Sequence, residues 1–324
     1  MASDSEKRID RLLTRAERHI AQVFSAAIDT MRDELDLREI ADLLENGKWT
    51  DALDIIEREA ARIGAASNMM FVRAGQDTAT FLSRAGVANI AFDQVNVRGV
   101  QMMQANRLNL IRQFTDGQRD VLRSVMSDGV ARGLNPIEQA RQFREVVGLT
   151  DRQARSIMNY RRMLERAGVD GALDQAEALT RELRDKRYDR TVRRAIAQQQ
   201  PLTKAQIDKM VEANRRKTIK MRAEMIARTE ALRSVHQGTN EAFDQAIEMG
   251  QIKAEQIEQT WRSAQDARVR ESHRNLNGEV RPMGGTWPGK YGDLRYPGDP
   301  SAPAGDVINC RCIIVRRIKR EARG

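Results

Sequence analysis

Residues that interrupt helices crowd into one stretch of this chain. Five of the seven prolines (Pro282, Pro288, Pro297, Pro300 and Pro303) fall between Trp261 and Cys312. Both cysteines (Cys310, Cys312), two of the three tryptophans (Trp261, Trp287) and two of the four tyrosines (Tyr291, Tyr296) lie there too. Proline removes a backbone donor and clashes with the preceding helical turn, while aromatic side chains supply large pieces of core area. A helical architecture therefore cannot run through this stretch, and a small module with its own core can form there. The fold class that follows is mainly α, with extended helical N-terminal and middle regions and a small C-terminal α+β module.

A chain of 324 residues has room for two or three domains and a substantial core, so bulk stability requires neither disulfides nor a metal. Aromatics make up only 4% of the sequence, as expected of a mostly helical protein rich in Ala, Leu, Arg, Gln and Glu. Fifty-five basic against 46 acidic residues leave a net charge of +9. That excess suits a polyanion, nucleic acid above all, or simply mixed charges on solvated helix faces. No apolar run approaches the roughly 18 residues that a bilayer span needs, and MASDSEKRID lacks an apolar signal core. The chain is accordingly expected to be soluble and not exported by the general secretory route. Two cysteines one residue apart would form a strained ring, so free thiols or thiolate ligands in a reducing compartment are expected.

Residues 1–134 read as helical, with Ile9, Leu12, Leu13, Ala16 and Ile20 forming one apolar face. Asn46-Gly47 marks a turn, and Trp49 stands as a core anchor before a helical run through Leu53, Ile56 and Ala60. Residues 135–221 form a second helical region whose helix starts are written out. Asn135-Pro136-Ile137-Glu138, Thr150-Asp151-Arg152-Gln153 and Thr203-Lys204-Ala205-Gln206 each pair a cap acceptor with a side chain able to reach back to it. Leu149 and Leu202 precede two of these caps as staples, Gly148 can end one helix, and Pro201 stops another. The stretch RELRDKRYDRTVRR is basic enough to follow a phosphate backbone through Arg187, Arg190, Arg193 and Arg194. Its interleaved Glu182, Asp185 and Asp189 equally support a self-paired solvent face.

Residues 222–324 form the third region. A long helical pattern continues from Thr203 towards Gly250, its methionines read as core. Arg228 and Glu230, two apart, diverge around that helix, so one of them can point into the C-terminal region and hold a loop. Beyond it, Glu258 to Arg262 reads as a strand and Asp266 as the cap of a helix containing Val269, His273 and Leu276. Asn277-Gly278 makes a turn, residues 282–303 form an irregular excursion, and Ile313-Ile314-Val315 returns as a strand beside the Trp261 strand.

An ordered series of motifs runs through this region. Ala227-Arg228-Thr229-Glu230 comes first, followed by Trp261 and then Asp266-Ala267-Arg268-Val269-Arg270-Glu271-Ser272-His273. Leu276-Asn277-Gly278, Tyr296-Pro297-Gly298-Asp299-Pro300 and Asn309-Cys310-Arg311-Cys312 complete it. In order and spacing it resembles the C-terminal domain of phage Mu F-like minor head proteins, and residues 148–190 are similar to the helical region preceding that domain. The resemblance marks Arg228, Glu230, Trp261, Asp266, Arg268, His273, Gly278, Pro297, Asp299, Asn309, Cys310 and Cys312 as the structural motif. It implies a noncatalytic minor capsid and head morphogenesis protein of a tailed bacteriophage, with a role in genome packaging or ejection. The implied partners are the portal protein, the capsid interior or scaffold, and double-stranded DNA, with no membrane in the resting particle. The implied location is the virion head near the portal, and the host cytoplasm during assembly.

Two further chemical readings attach to the same residues. Cys310, Cys312 and His273, with Asp266 or Asp299 as a fourth donor, make a set suited to zinc; small buried thiols and a packed histidine are the simpler alternative, with no cofactor. A metal-dependent phage nuclease using the His273, Cys310 and Cys312 region, with Asp266 and Asn309 contributing, is the enzymatic alternative. No second histidine lies nearby in sequence, and no nucleophile elbow or phosphate-binding glycine loop is present. Finally, Arg316, Arg317, Lys319 and Arg320 could form a basic arm on DNA or on an acidic portal surface, or merely solubilise the end of the chain.

Overall fold

The computed structural model describes residues 3–46, 50–169 and 177–319. Gly47, Trp49 and Arg320 lie outside the described residues. Helices dominate: α1 (Asp4–Glu34), α2 (Leu37–Asn46), α3 (Thr50–Arg84), α4 (Val97–Ala131), α5 (Pro136–Val146), α6 (Asp151–Arg166), α7 (Asp189–Gln198) and α8 (Lys204–Glu248). The C-terminal module adds β1 (Ile257–Arg262), α9 (Glu271–Asn275), β2 (Val280–Pro282), β3 (Trp287–Pro288), β4 (Asp293–Leu294), α10 (Ala304–Val307) and β5 (Ile313–Ile318). Among the described residues, no helix is long and apolar enough to cross a membrane.

The chain divides into two compact units, each assembled from separated segments. One comprises Met1–Phe24, Ala61–Leu110 and Ala223–Gly324; the other comprises Ser25–Ala60 and Ile111–Arg222. The helices α1, α3, α4 and α8 are each continuous and supply a segment to both units.

In the unit built from residues 25–60 and 111–222, local sequence signals became local structure. Asn135, Thr150 and Thr203 each accept from the backbone N–H three residues on, and Glu138, Gln153 and Gln206 each accept from the cap's own N–H. Each box satisfies two donors that a helix start leaves orphaned. Gly148 takes φ +81°, and a Cβ there would lie 2.4 Å from Ile28 Cδ1, so the turn between α5 and α6 needs glycine on both counts. The buried Gln118 amide locks that turn, accepting from Gly148 N at 2.8 Å and donating to Leu149 O at 2.8 Å.

In the other unit the predicted face of α1 is buried at Ile9, Leu13, Ala16 and Ile20, with Leu12 half-buried. Segments of α3 and α8 approach closely here: a Cβ on Gly238 would lie 2.1 Å from Phe71 O, which only a glycine permits. Ser67 and Ser234 meet at 2.7 Å across the same contact. Gly250, two residues past the last residue of α8, takes φ +67° and turns the chain out of the helix. A cluster of Leu82, Ile90, Phe243, Ile252 and Ile257, with Ile318 and Met283 packed against it, joins the C-terminal sheet to the helices.

That sheet is antiparallel, in the order β2-β1-β5, with Trp261 opposite Ile314 and Thr260 opposite Val280. β3 and β4 form a separate two-stranded hairpin pairing Trp287 with Leu294. The expected neighbour relation between the Trp261 strand and the Ile313 strand holds. Two details differ from expectation. Asp266 does not cap a helix, because its carboxylate accepts from Arg268 N in a local turn and α9 begins only at Glu271. The C-terminal strand runs on through Ile318, so Arg316 and Arg317 belong to the sheet and not to an arm beyond it.

Candidate functional site

The irregular chain from residue 295 to 312 is fixed to α8 by polar contacts. Arg228 Nη1 donates to Asn309 Oδ1 at 2.6 Å, and Asn309 N donates to Thr229 Oγ1 at 3.0 Å, holding Asn309 at φ +57°. Arg228 is thus the residue that reaches into the module, while Glu230 turns the other way, buried beside Ser67 and paired with Arg233 at 3.0 Å. Burial raises the Glu230 carboxyl above its ordinary range, against the pull of Arg233. Buried Tyr296 stacks on His236 with ring centroids 6.2 Å apart. Pro297 is buried, and Gly298 at φ +82° would bring a Cβ within 3.0 Å of Arg233 N. Asp299 accepts from Arg295 Nη2 at 2.7 Å and from Ser301 Oγ at 2.7 Å. Burial opposes the charge on Asp299, but the hydrogen bonds from Arg295 and Ser301 outweigh it and hold its carboxyl below the ordinary range.

Beneath this loop the two thiols meet His273. Nδ1 of His273 lies 3.4 Å from Cys310 Sγ and 3.7 Å from Cys312 Sγ, and the three groups are at most 2% exposed. The Trp261 indole and the imidazole meet in a T-shaped contact with centroids 5.2 Å apart, and Trp261 packs against Trp287 at 5.6 Å. The other imidazole nitrogen, Nε2, faces Asp306 Oδ1 at 4.0 Å. Asp306 is itself fully buried and accepts from Lys290 N at 3.1 Å and Tyr291 N at 2.8 Å. The hydrogen bond from Cys312, then the one from His273, bring the Cys310 thiol well below its ordinary range despite burial. Cys312 is pushed up, first by Cys310 and then by burial, so the pair carries one negative charge far more readily than two.

Of the proposed metal donors, the structure brings His273, Cys310 and Cys312 together and leaves Asp266 outside. The Asp266 carboxylate is taken by the Arg311 guanidinium, which holds its carboxyl far below the ordinary range, and Arg268 stands 3.7 Å away. Asp299 is likewise committed to Arg295 and Ser301. The hydrolytic set of Asp266, His273 and Asn309 does not assemble, since each belongs to a different contact. Asn277 Oδ1 accepts from Ser263 N, and Gly278, at φ +87°, donates to Trp261 O at 2.8 Å, closing the turn onto β1. The acidic group beside the imidazole is Asp306, which sequence reasoning did not single out.

The basic residues separate into two kinds. Arg187, Arg190, Arg193 and Arg194 are exposed; Arg187 pairs with Asp185 at 2.6 Å, Arg193 stands 4.0 Å from Asp189, and Arg194 donates to Gln198. Arg317 and Lys319 are exposed, with Lys319 paired to Glu258 at 2.7 Å. Arg316 is different: it is buried, donates to Asn240 Oδ1 at 2.6 Å and lies 5.4 Å over the Phe243 ring. A side chain so placed cannot face a phosphate, so the expected nucleic-acid role of Arg316 is withdrawn. Burial lowers its guanidinium to about 10.

Residues 174–315 match the family model described as Phage Mu protein F like protein. That span runs through α7, α8 and the C-terminal module as far as β5, and it contains the thiols, His273, Asp306 and the residues that pin the loop to α8. Over that span the chain is similar to phage Mu F-like proteins. No curated protein and no solved structure matches the chain.

Proposed function

We propose that the chain is a noncatalytic minor component of a tailed-phage head, placed at the portal vertex beside packaged double-stranded DNA and acting in packaging or ejection. The observation that carries this reading is the match over residues 174–315, within which the motif residues act as braces. Arg228 holds Asn309, Arg311 holds Asp266 and Arg295 holds Asp299, so the charged groups of the motif are spent on fixing loops. No observation favours the nuclease alternative, because its acid-base groups are divided among these pairs and His273 is fully buried.

The exposed arginines of α7 and the turn before it support DNA contact, since nonspecific binding needs only cations facing phosphates. Arg190 has no acidic partner among the described residues, whereas Arg187 and Arg193 would have to exchange theirs. Two binding experiments test the proposal. A gel-shift series on linear duplex DNA should show affinity falling steeply with salt. Replacing Arg187, Arg190, Arg193 and Arg194 with Gln should reduce the log-log salt slope by up to about 3–4, at about 0.9 per lost phosphate contact. Co-expression with the portal protein of the same phage should give a stable co-purifying complex. Absence of any shift at low salt removes DNA from the proposal, and failure to co-purify removes the portal.

A further inference from the structure

We infer that His273, Cys310 and Cys312 form a zinc site that cross-links the C-terminal module. A tetrahedral zinc with Zn–S of about 2.3 Å and Zn–N of about 2.0–2.1 Å places a sulfur and a nitrogen ligand about 3.6 Å apart. Nδ1 of His273 stands 3.4 and 3.7 Å from the two sulfurs, and all three ligand atoms fall within 4.8 Å of one another. Hydrogen bonding accounts for this convergence poorly, because a neutral Nδ1 has one lone pair and can accept from only one thiol. A single cation uses all three groups at once.

The surroundings complete the case. Nε2 of His273 has no hydrogen-bond partner and faces the Asp306 carboxylate at 4.0 Å. A carboxylate on that side favours the tautomer with its proton on Nε2, which leaves the Nδ1 lone pair aimed at the sulfurs; metal-bound histidines are oriented by outer carboxylates in this way. Asp306 is in turn held by Lys290 N and Tyr291 N, so the orientation is built into the fold. Two thiolates and an imidazole form a borderline-soft set that suits zinc above magnesium or calcium. With Asp266 and Asp299 committed elsewhere, a fourth ligand would come from water. The consequence is mechanical: the ion would tie α9 to the segment leading into β5, across the Trp261 face of the sheet.

The test uses the full chain purified under reducing conditions and reconstituted with zinc sulfate. Elemental analysis is expected to give about one zinc per chain, and cobalt substitution a thiolate-to-metal charge-transfer band. Cys310→Ser and Cys312→Ser should each lose that band and the bound zinc. His273→Cys, which preserves three soft donors, should keep the metal even where the serine variants fold poorly. Asp306→Asn should weaken zinc binding about 10–100-fold without changing the stoichiometry at saturation. A folded wild-type chain that takes up no zinc and shows two titratable thiols, or a Cys310–Cys312 disulfide, overturns the inference.

Discussion

The unit built from residues 25–60 and 111–222 and the C-terminal module solve the same problem by opposite means. In the former, helices start where a cap acceptor and its partner stand three residues apart, and they stop where Gly148 can adopt a positive φ. Each of those decisions is made within a few residues. The module has little regular structure between β2 and β5, so its backbone and charged groups are satisfied at long range: Asp306 by the amides of Lys290 and Tyr291, Asn309 by Arg228 and Thr229, Asp266 by Arg311. Local satisfaction gives many small independent contributions. Long-range satisfaction gives few and large ones, since removing one partner leaves a buried group unpaired.

The largest expected effect follows from emptying the centre of the module. Trp261→Ala removes a fully buried indole that touches both Trp287 and His273, and it should cost about 3–5 kcal/mol in denaturant unfolding. Hydrogen exchange should rise across residues 257–318 while the α5–α6 turn stays protected; uniform loss of protection in both units would erase the contrast. Asp306→Ala strands two backbone donors and should cost about 2–4 kcal/mol, read in the same experiment.

Acid should distinguish the regions next. Burial, helped by the Arg316 charge, lowers the fully buried His236 imidazole to about 3 from an ordinary 6.5. The unfolded chain takes up this proton near pH 6.5 and the folded one does not, so the stability contributed above pH 6.5 is lost as pH falls towards 3. Between pH 7 and pH 5 the loss from this residue should be about 2 kcal/mol, absent in His236→Gln. Equal pH slopes in urea unfolding of the two proteins would contradict the assignment. The smallest effect belongs to a cap: Thr150→Ala should cost about 1 kcal/mol, with faster exchange confined to the first turn of α6.

The same contrast explains what could be read from sequence. Capping boxes, the end of α8 and the strand containing Trp261 were legible because each signal is local or periodic. Thiols and histidine can be named as donors from their chemistry, and Asp266 or Asp299 as a fourth, but nothing local shows that the fold commits Asp266 to Arg311 and Asp299 to Arg295 and Ser301. Asp306 carried no usable signal, since its importance lies in contacts with the distant 290–291 backbone. Arg316 was misread as part of a solvated arm because its neighbours are basic. Strand alternation would have placed it on the same face as Ile314, which is buried.

Quantitative mass spectrometry of gradient-purified, DNA-filled phage heads induced from a host carrying the gene for this chain tests the central claim most directly. The account predicts an intact polypeptide present at low copy relative to the major capsid protein and retained with the portal after the shell is disrupted. Heads that assemble, package and infect without any trace of it would contradict the account.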